Sequence, residues 1–275
     1  MNRVTASLAV IAISLWMCPP WCIPADRGLW KRVDEGLFVG EFDPPQKQAG
    51  RESKITVVKI DPKSYSFKLL CASELGKLRR PPKAWCQDYN LISAINAGMY
   101  QKDGITNVGY MKNFDHLNNP RIANTYKAVL AFNRVESAIP PIRIIDLGCE
   151  DFQTLRDRYQ TLIQGIRMIS CQQENVWSQQ DKAFGMAVLG IDKGGNVLFI
   201  LSEAPHSGYD FINILLSLPL SIYNAMYLEG GREANLYFSA KNLQFERMGR
   251  HATDSEGDKI AIAWPVPNVI GIVKK

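Results

Sequence analysis

The chain is poor in histidine, with only His116, His206 and His251 in 275 residues, and no two of its six cysteines are separated by the two-residue gap of a metal knuckle. Zinc-site chemistry therefore has little to build on, and no metal ligand set is read. No serine stands in a G-x-S-x-G elbow, and Ser202 lies in a plain apolar run, which removes the nucleophilic serine hydrolases. Long runs of one charge are missing too. The formal net charge is +5, and the basic residues fall in short clusters such as "KLRRPPK" (Lys77 to Lys83). A nucleic-acid binder would concentrate its charge in a stripe with interleaved aromatics, so that class is set aside, while an anionic ligand stays compatible. No internal repeat, low-complexity segment or repeating βαβ rhythm is visible.

What is present begins at the N-terminus. "MNR" gives a positive start, Val4 to Met17 is an apolar run, and Ala25 in "CIPAD" offers a small residue before a cut. The pattern predicts a signal peptide over residues 1–25 and a secreted or periplasmic protein. The competing reading is an uncleaved anchor, which would want about 18 or more apolar residues. Membrane contact is expected only through that segment. Lipid attachment at Cys18 or Cys22 is disfavoured because "LWMC" and "PPWC" lack a small residue before the cysteine. Cleavage leaves Cys71, Cys86, Cys149 and Cys171, an even set in an oxidising compartment. Two disulfides follow; of the three connectivities, Cys71–Cys86 and Cys149–Cys171 are preferred because each closes a short loop.

Residues 26–52 read as a polar lead or linker, and 53–275 as one domain. "KITVVKI" and "YSFKLLCAS" joined by "DPKS" predict a hairpin. Further strands are expected at "LISAIN", "YKAVLAFN", "IRIIDL", "AFGMAVLGID", "NVLFILSE", "NAMYL", "NLYFS" and the C-terminal "IAIAWPVPNVIGIV". The spacing of Phe152, Leu155, Tyr159, Leu162 and Ile163 predicts a helix over 150–165, and a second is expected over Gly208 to Leu218, capped by Ser207 and stopped by Pro219. Many strands and few helices predict an α+β domain with a large mixed or antiparallel sheet.

Two strands end in a glutamate: Glu203 closes "NVLFILSE", and Glu229 stands before Gly230 and Gly231 in "YLEGG". A right-handed crossover between paired strands would bring both acids to one sheet edge, where they could divide acid and base work. They could equally be solvated strand-end acids. Gly230 and Gly231 would let backbone amides face an anion. Asn96 ends a third strand before a Gly-punctuated loop, where it could hold a ligand hydroxyl or cap its own turn.

Taken in order, "INAGMYQKDG", "LIQGIRM", "AFGMAVLGIDKGGNVLFILSE" and "AMYLEGG" resemble the phosphodiester glycosidase family over roughly residues 50–273. The resemblance implies an exported hydrolase acting on a sugar joined through its anomeric carbon to a phosphodiester. Asn96, Gly98 and Tyr100 match the family's strand-end "NAGMY" pattern, and Glu229, Gly230 and Gly231 its "LDGG", with Glu for Asp. Glu203 takes the place of an Asp before Gly, Arg167 falls in a "Q-S-G-P" segment lacking Ser and Pro, and Lys182 is the basic residue before the central Gly strand. The implied catalytic set is Glu229, Glu203 and Asn96; His206, which follows Glu203 ahead of the second helix, reads separately as a proton donor to the leaving phosphate or a surface histidine. The implied substrate-binding set is Gly98, Tyr100, Arg167, Lys182, Gly230 and Gly231. A thiol pairing of Cys171 with His206 is weaker than a disulfide, and His116 reads as a loop residue. No cofactor is read. The alternative is a non-catalytic glycan- or envelope-binding protein on the same scaffold.

Overall fold

The computed structural model describes residues 29–45, 54–76, 78–254 and 262–275. The expected signal peptide lies outside them. The stretch expected as a lead contributes β1 (Trp30–Asp34) and β2 (Leu37–Phe42), a hairpin that pairs onto β3 (Ile55–Ile60). After β4 (Tyr65–Cys71) come α1 (Pro82–Tyr89) and β5 (Ser93–Asn96). Then follow β6 (Met111–Asn113), β7 (His116–Asn119), β8 (Ala128–Arg134), β9 (Ile142–Asp146), the short α2 (Phe152–Leu155) and β10 (Tyr159–Ile169). The C-terminal part holds β11 (Ala183–Asp192), β12 (Val197–Ser207), α3 (Gly208–Ser217) and β13 (Ile222–Gly230), then β14 (Asn235–Ala240), β15 (Leu243–Met248) and β16 (Asn268–Lys274).

These strands form two sheets, and every strand pairing among the described residues is antiparallel. The larger has eleven strands with β3-β12-β11-β13-β10 at its centre; the smaller runs β15-β14-β5-β16-β4. They pack face to face. Phe67, Leu69, Ile95 and Phe238 of the small sheet share one core with Val58, Leu189, Phe199 and Leu228 of the large one. The outer face of the large sheet is covered by α3 through Phe211, Ile212 and Leu215, and that of the small sheet by α1 through Trp85. This layering explains the unbroken apolar run in β12. Phe199 and Leu201 face the inter-sheet core while Leu198 and Ile200 face α3, so neither side of the strand can be polar.

Three expectations are corrected by this arrangement. The hairpin of β3 and β4 does not form: β3 pairs with β2 and β12, whereas β4 pairs with β16. The turn at 61–64 carries the chain across the core, so Ile60 and Tyr65 face each other between sheets instead of lying side by side. The helix over 150–165 shrinks to α2 and a 3-10 turn at 156–158, and Tyr159 opens an eleven-residue strand. Its apolar residues fit a helical spacing, but pairing with β8 and β13 satisfies their backbone and buries them on both sides. The Cys71–Cys86 disulfide is absent and both thiols are free. Cys71 points into the inter-sheet core and Cys86 sits on the buried face of α1, on opposite faces of the small sheet. Cys149–Cys171 is bonded as expected.

Candidate active site

The register of the central strands breaks where β13 approaches its end. Along the β11–β13 seam the pairing slips between Ala187 and Val188, so that Ala187 opposes Glu229 while Val188 opposes Tyr227. A bulge of this kind re-aims a side chain. Glu229 is 9% exposed, and its carboxylate accepts one hydrogen bond, from the Gly230 N–H at 3.0 Å. Burial pushes its carboxyl up to about 8, against the pull of that amide, and the nearby Glu233 charge pushes the same way. At neutral pH this acid holds its proton.

The two glycines after it are fixed by packing. A Cβ on Gly230 would lie 2.3 Å from the Tyr227 hydroxyl oxygen and 2.5 Å from the Phe184 ring. Gly231 adopts a φ of +66°, and a Cβ there would lie 2.3 Å from the His251 ring. Tyr227 is buried against Trp177 and Phe184, and burial first, then Glu229 and Glu233, raises its phenol far above the ordinary value.

Asn96 is buried, and both ends of its side chain are engaged. Nδ2 donates to the Glu233 carbonyl at 2.8 Å, and Oδ1 accepts the Asn235 N–H at 2.7 Å. It thereby pins the segment after Glu229 to the end of β5. Gly98 has a φ of +125° and leaves room for Asn107 Oδ1, which a Cβ would approach to 2.7 Å. Tyr100 is half-buried; burial raises its phenol, a hydrogen bond from Trp264 Nε1 at 3.2 Å opposes that, and the Glu233 and Glu229 charges add to it. The β5 loop and the end of β13 thus meet.

The other expected residues lie elsewhere. β12 runs four residues past Glu203, so this acid sits within the strand. Because β11 separates β12 from β13, the two glutamates reach the same end of the sheet without adjoining. Glu203 faces Arg247, whose Nε is 3.9 Å away, and its carboxyl is raised by burial against the opposing charges of Arg247 and Arg250. His206 is buried inside β12, stacked on Phe211 at 5.6 Å; burial lowers its pKa, and its Nε2 has no partner. Arg167 turns to Asp146 at 2.6 Å. Lys182 is exposed just before β11.

Two residues at the Glu229–Gly231 end escaped the sequence reading. Glu233 stands in "REAN", where the eye falls on missing hydroxyl residues; its signal was simply a second acid four places on. His251 belongs to a strap held by three backbone bonds: Gly249 N to Ala234 O, Arg250 N to Glu203 O and Gly185 N to Arg250 O. Nothing local in the sequence announces that strap. Among the described residues, the one group of three side chains with metal-ligand spacing is Asp146, Cys149 and Cys171, and its two sulfurs are already bonded to each other.

The phosphodiester glycosidase profile matches residues 89–273. The chain belongs to the phosphodiester glycosidase family. Both segments that meet at Glu229 fall inside the matched range, as does the His251 strap. No curated protein matches the chain in sequence. Solved structures share its fold. A hypothetical protein from Synechocystis aligns with TM-score 0.61 at 14% identity, covering 88% of this chain and 62% of that one. The zebrafish N-acetylglucosamine-1-phosphodiester alpha-N-acetylglucosaminidase catalytic domain, auto-inhibited by its pro-peptide, aligns with TM-score 0.59 at 15% identity, covering 87% and 84%. A Burkholderia pseudomallei protein whose name infers export gives TM-score 0.51 at 10% identity, covering 82% and 75%. This chain spans under two thirds of the first of these. In this chain Glu229 stands before the paired glycines, and Asn96 ends the strand that braces the segment after it.

Proposed function

We propose that the protein is an exported phosphodiester glycosidase that hydrolyses the bond between a sugar's anomeric carbon and a phosphodiester. The observation that carries this reading is Glu229: a buried carboxyl at a strand bulge inside the family's domain, in surroundings that favour its protonated form. Such an acid suits general-acid chemistry, protonating the oxygen that departs with the phosphate while positive charge builds at the anomeric carbon. Glu233 supports it as the second carboxylate, because its charge adds to the burial that raises Glu229; Glu203, across β11, is the alternative second acid. Tyr100, half-exposed at the same place, would contact the sugar, and Arg79, whose charge acts on Tyr100, would face the phosphate. Asn96 and Gly98 shape the loop. Export is supported by the Met1 to Ala25 pattern and the Cys149–Cys171 bond.

The test is release of free sugar from a panel of sugar-1-phosphodiesters, a nucleotide-sugar included, by the parent protein and Glu229→Gln. Turnover by the parent that falls by roughly 10²–10⁴ in the variant is the expected result. Turnover that survives the substitution removes Glu229 from the chemistry, and no release from any substrate overturns the reading.

A further inference from the structure

A large cavity lies away from Glu229, at the other end of the same strand. It has a volume of about 910 Å³ and is walled by β9, the end of β11 and the start of β13. That size falls in the upper part of the ~300–1,000 Å³ range of small-molecule sites. Counting from Asn224 to Glu229 along β13, the two places are about 16 Å apart at 3.3 Å per residue.

Its chemistry is selective. Most charged groups of the wall are already paired: Arg143 with Glu150 in the wall itself, and Asp192 with Lys59 outside it at 3.0 Å, leaving Lys193. A wall so balanced favours neither a phosphate nor a cation. What it offers is Tyr223, 40% exposed, beside Ile142 and Ile144, with the carboxamides of Gln172 and Gln173 facing the same space. Asn224 on the floor gives its Nδ2 to the Ile144 carbonyl and leaves its Oδ1 without a partner. An aromatic ring and apolar wall suit the C–H face of a pyranose, and carboxamides supply both donors and acceptors for hydroxyls. The wall is also fixed in place. The Cys149–Cys171 bond ties the loop after β9 to the loop after β10, and Asp146 Oδ2 accepts the Cys171 N–H at 2.9 Å.

We propose that this cavity is a second ligand site, remote from Glu229, for an uncharged, hydroxyl-rich ligand: a neutral oligosaccharide. Binding there does not depend on turnover at Glu229. The test is calorimetric titration of the protein with maltohexaose and with chitohexaose, using hexagalacturonate as a charged comparison. At least one neutral hexasaccharide should bind saturably, with affinity unchanged by Glu229→Gln and reduced tenfold or more, about 1.4 kcal/mol, by Tyr223→Ala. Tyr223 is at the surface, so its truncation leaves the core intact. Absence of binding by both neutral sugars at ~10 mM, equal binding by the Tyr223→Ala protein, preference for hexagalacturonate, or loss of binding in Glu229→Gln would each overturn the proposal.

Discussion

β11 and β13 carry a buried carboxylate at each end of their seam, and the two acids are treated in opposite ways. At one end Asp192, 4% exposed, accepts the N–H groups of Gly194 and Asn196 at 2.8 Å, the Asn196 carboxamide at 2.9 Å and the Lys59 ammonium at 3.0 Å. At the other, Glu229 is buried to a similar degree with a single amide, and the charge acting on it is another acid, Glu233. A buried carboxylate given every partner locks a turn. One denied partners keeps its proton and is available to give it away. Burial alone does not distinguish the two; the count of donors does.

The sharpest way to break this contrast is a swap of outcomes. Glu229→Gln should abolish turnover while leaving the fold intact, whereas Asp192→Ala should lower stability by about 2 kcal/mol and leave the turnover of folded molecules unchanged. Loss of turnover in both would mean that the two ends are not separate in function. Asp146 belongs to the well-partnered class as well, accepting the Gly148 N–H at 2.8 Å and the Cys171 N–H at 2.9 Å. Asp146, 2% exposed at its side chain, relies on Arg167 for its counter-charge. Arg167→Met should cost about 3 kcal/mol by stranding that charge, read by denaturant unfolding, with kcat/KM of the folded fraction preserved. A fall in kcat/KM beyond the unfolded fraction would instead bring Arg167 to the substrate.

The next effect is on pH. The Glu229 carboxyl is raised from 4.5 to about 8, so between those values the folded protein keeps a proton that the unfolded chain releases. Its contribution to stability is therefore fully present below pH 4.5 and declines as pH rises through about 8. By pH 7 the decline is on the order of 3 kcal/mol, at about 1.4 kcal/mol per pH unit. Glu203 is raised in the same direction and adds to the slope. Unfolding free energies of the parent and Glu229→Gln, compared across pH 5 to 8, should show a flatter curve for the variant. Parallel curves would mean that Glu229 is ionised in the folded protein.

The contrast between the two ends also marks what could be read from the sequence. β11, β12 and the "KGG" turn between them were legible, because an apolar run bounded by glycines and charge leaves few alternatives. The Glu-Gly-Gly end of β13 and Asn96 stood out for the same local reason. Neighbour choice did not. Parity along β4 tells that Tyr65, Phe67, Leu69 and Cys71 share a face, but not that β16 is the partner or that Cys86 lies on the opposite side. Glu233 reaches Glu229 through a 3-10 turn and His251 reaches Gly231 through a strap, whose geometry is set by contacts far apart in the chain. The family resemblance supplied the order of motifs but not these long-range neighbours.

The smallest effect tests whether the starved end depends on its surroundings being rigid. Ser207 closes β12 and caps α3: its Oγ accepts the Asp210 N–H at 3.1 Å and donates to the Asp210 carboxylate at 2.6 Å. The helix it starts covers the outer face of the large sheet with Phe211, Ile212 and Leu215. Ser207→Ala removes the cap and should cost about 1 kcal/mol, visible as a lowered Tm. Because Ser207 touches none of Glu229, Glu233 or Tyr100, turnover should stay at the parent level. A change in turnover larger than the loss of folded protein would show that α3 and the adjoining His206 hold the Glu229 end in shape, and that the two ends differ in stiffness as well as in donors.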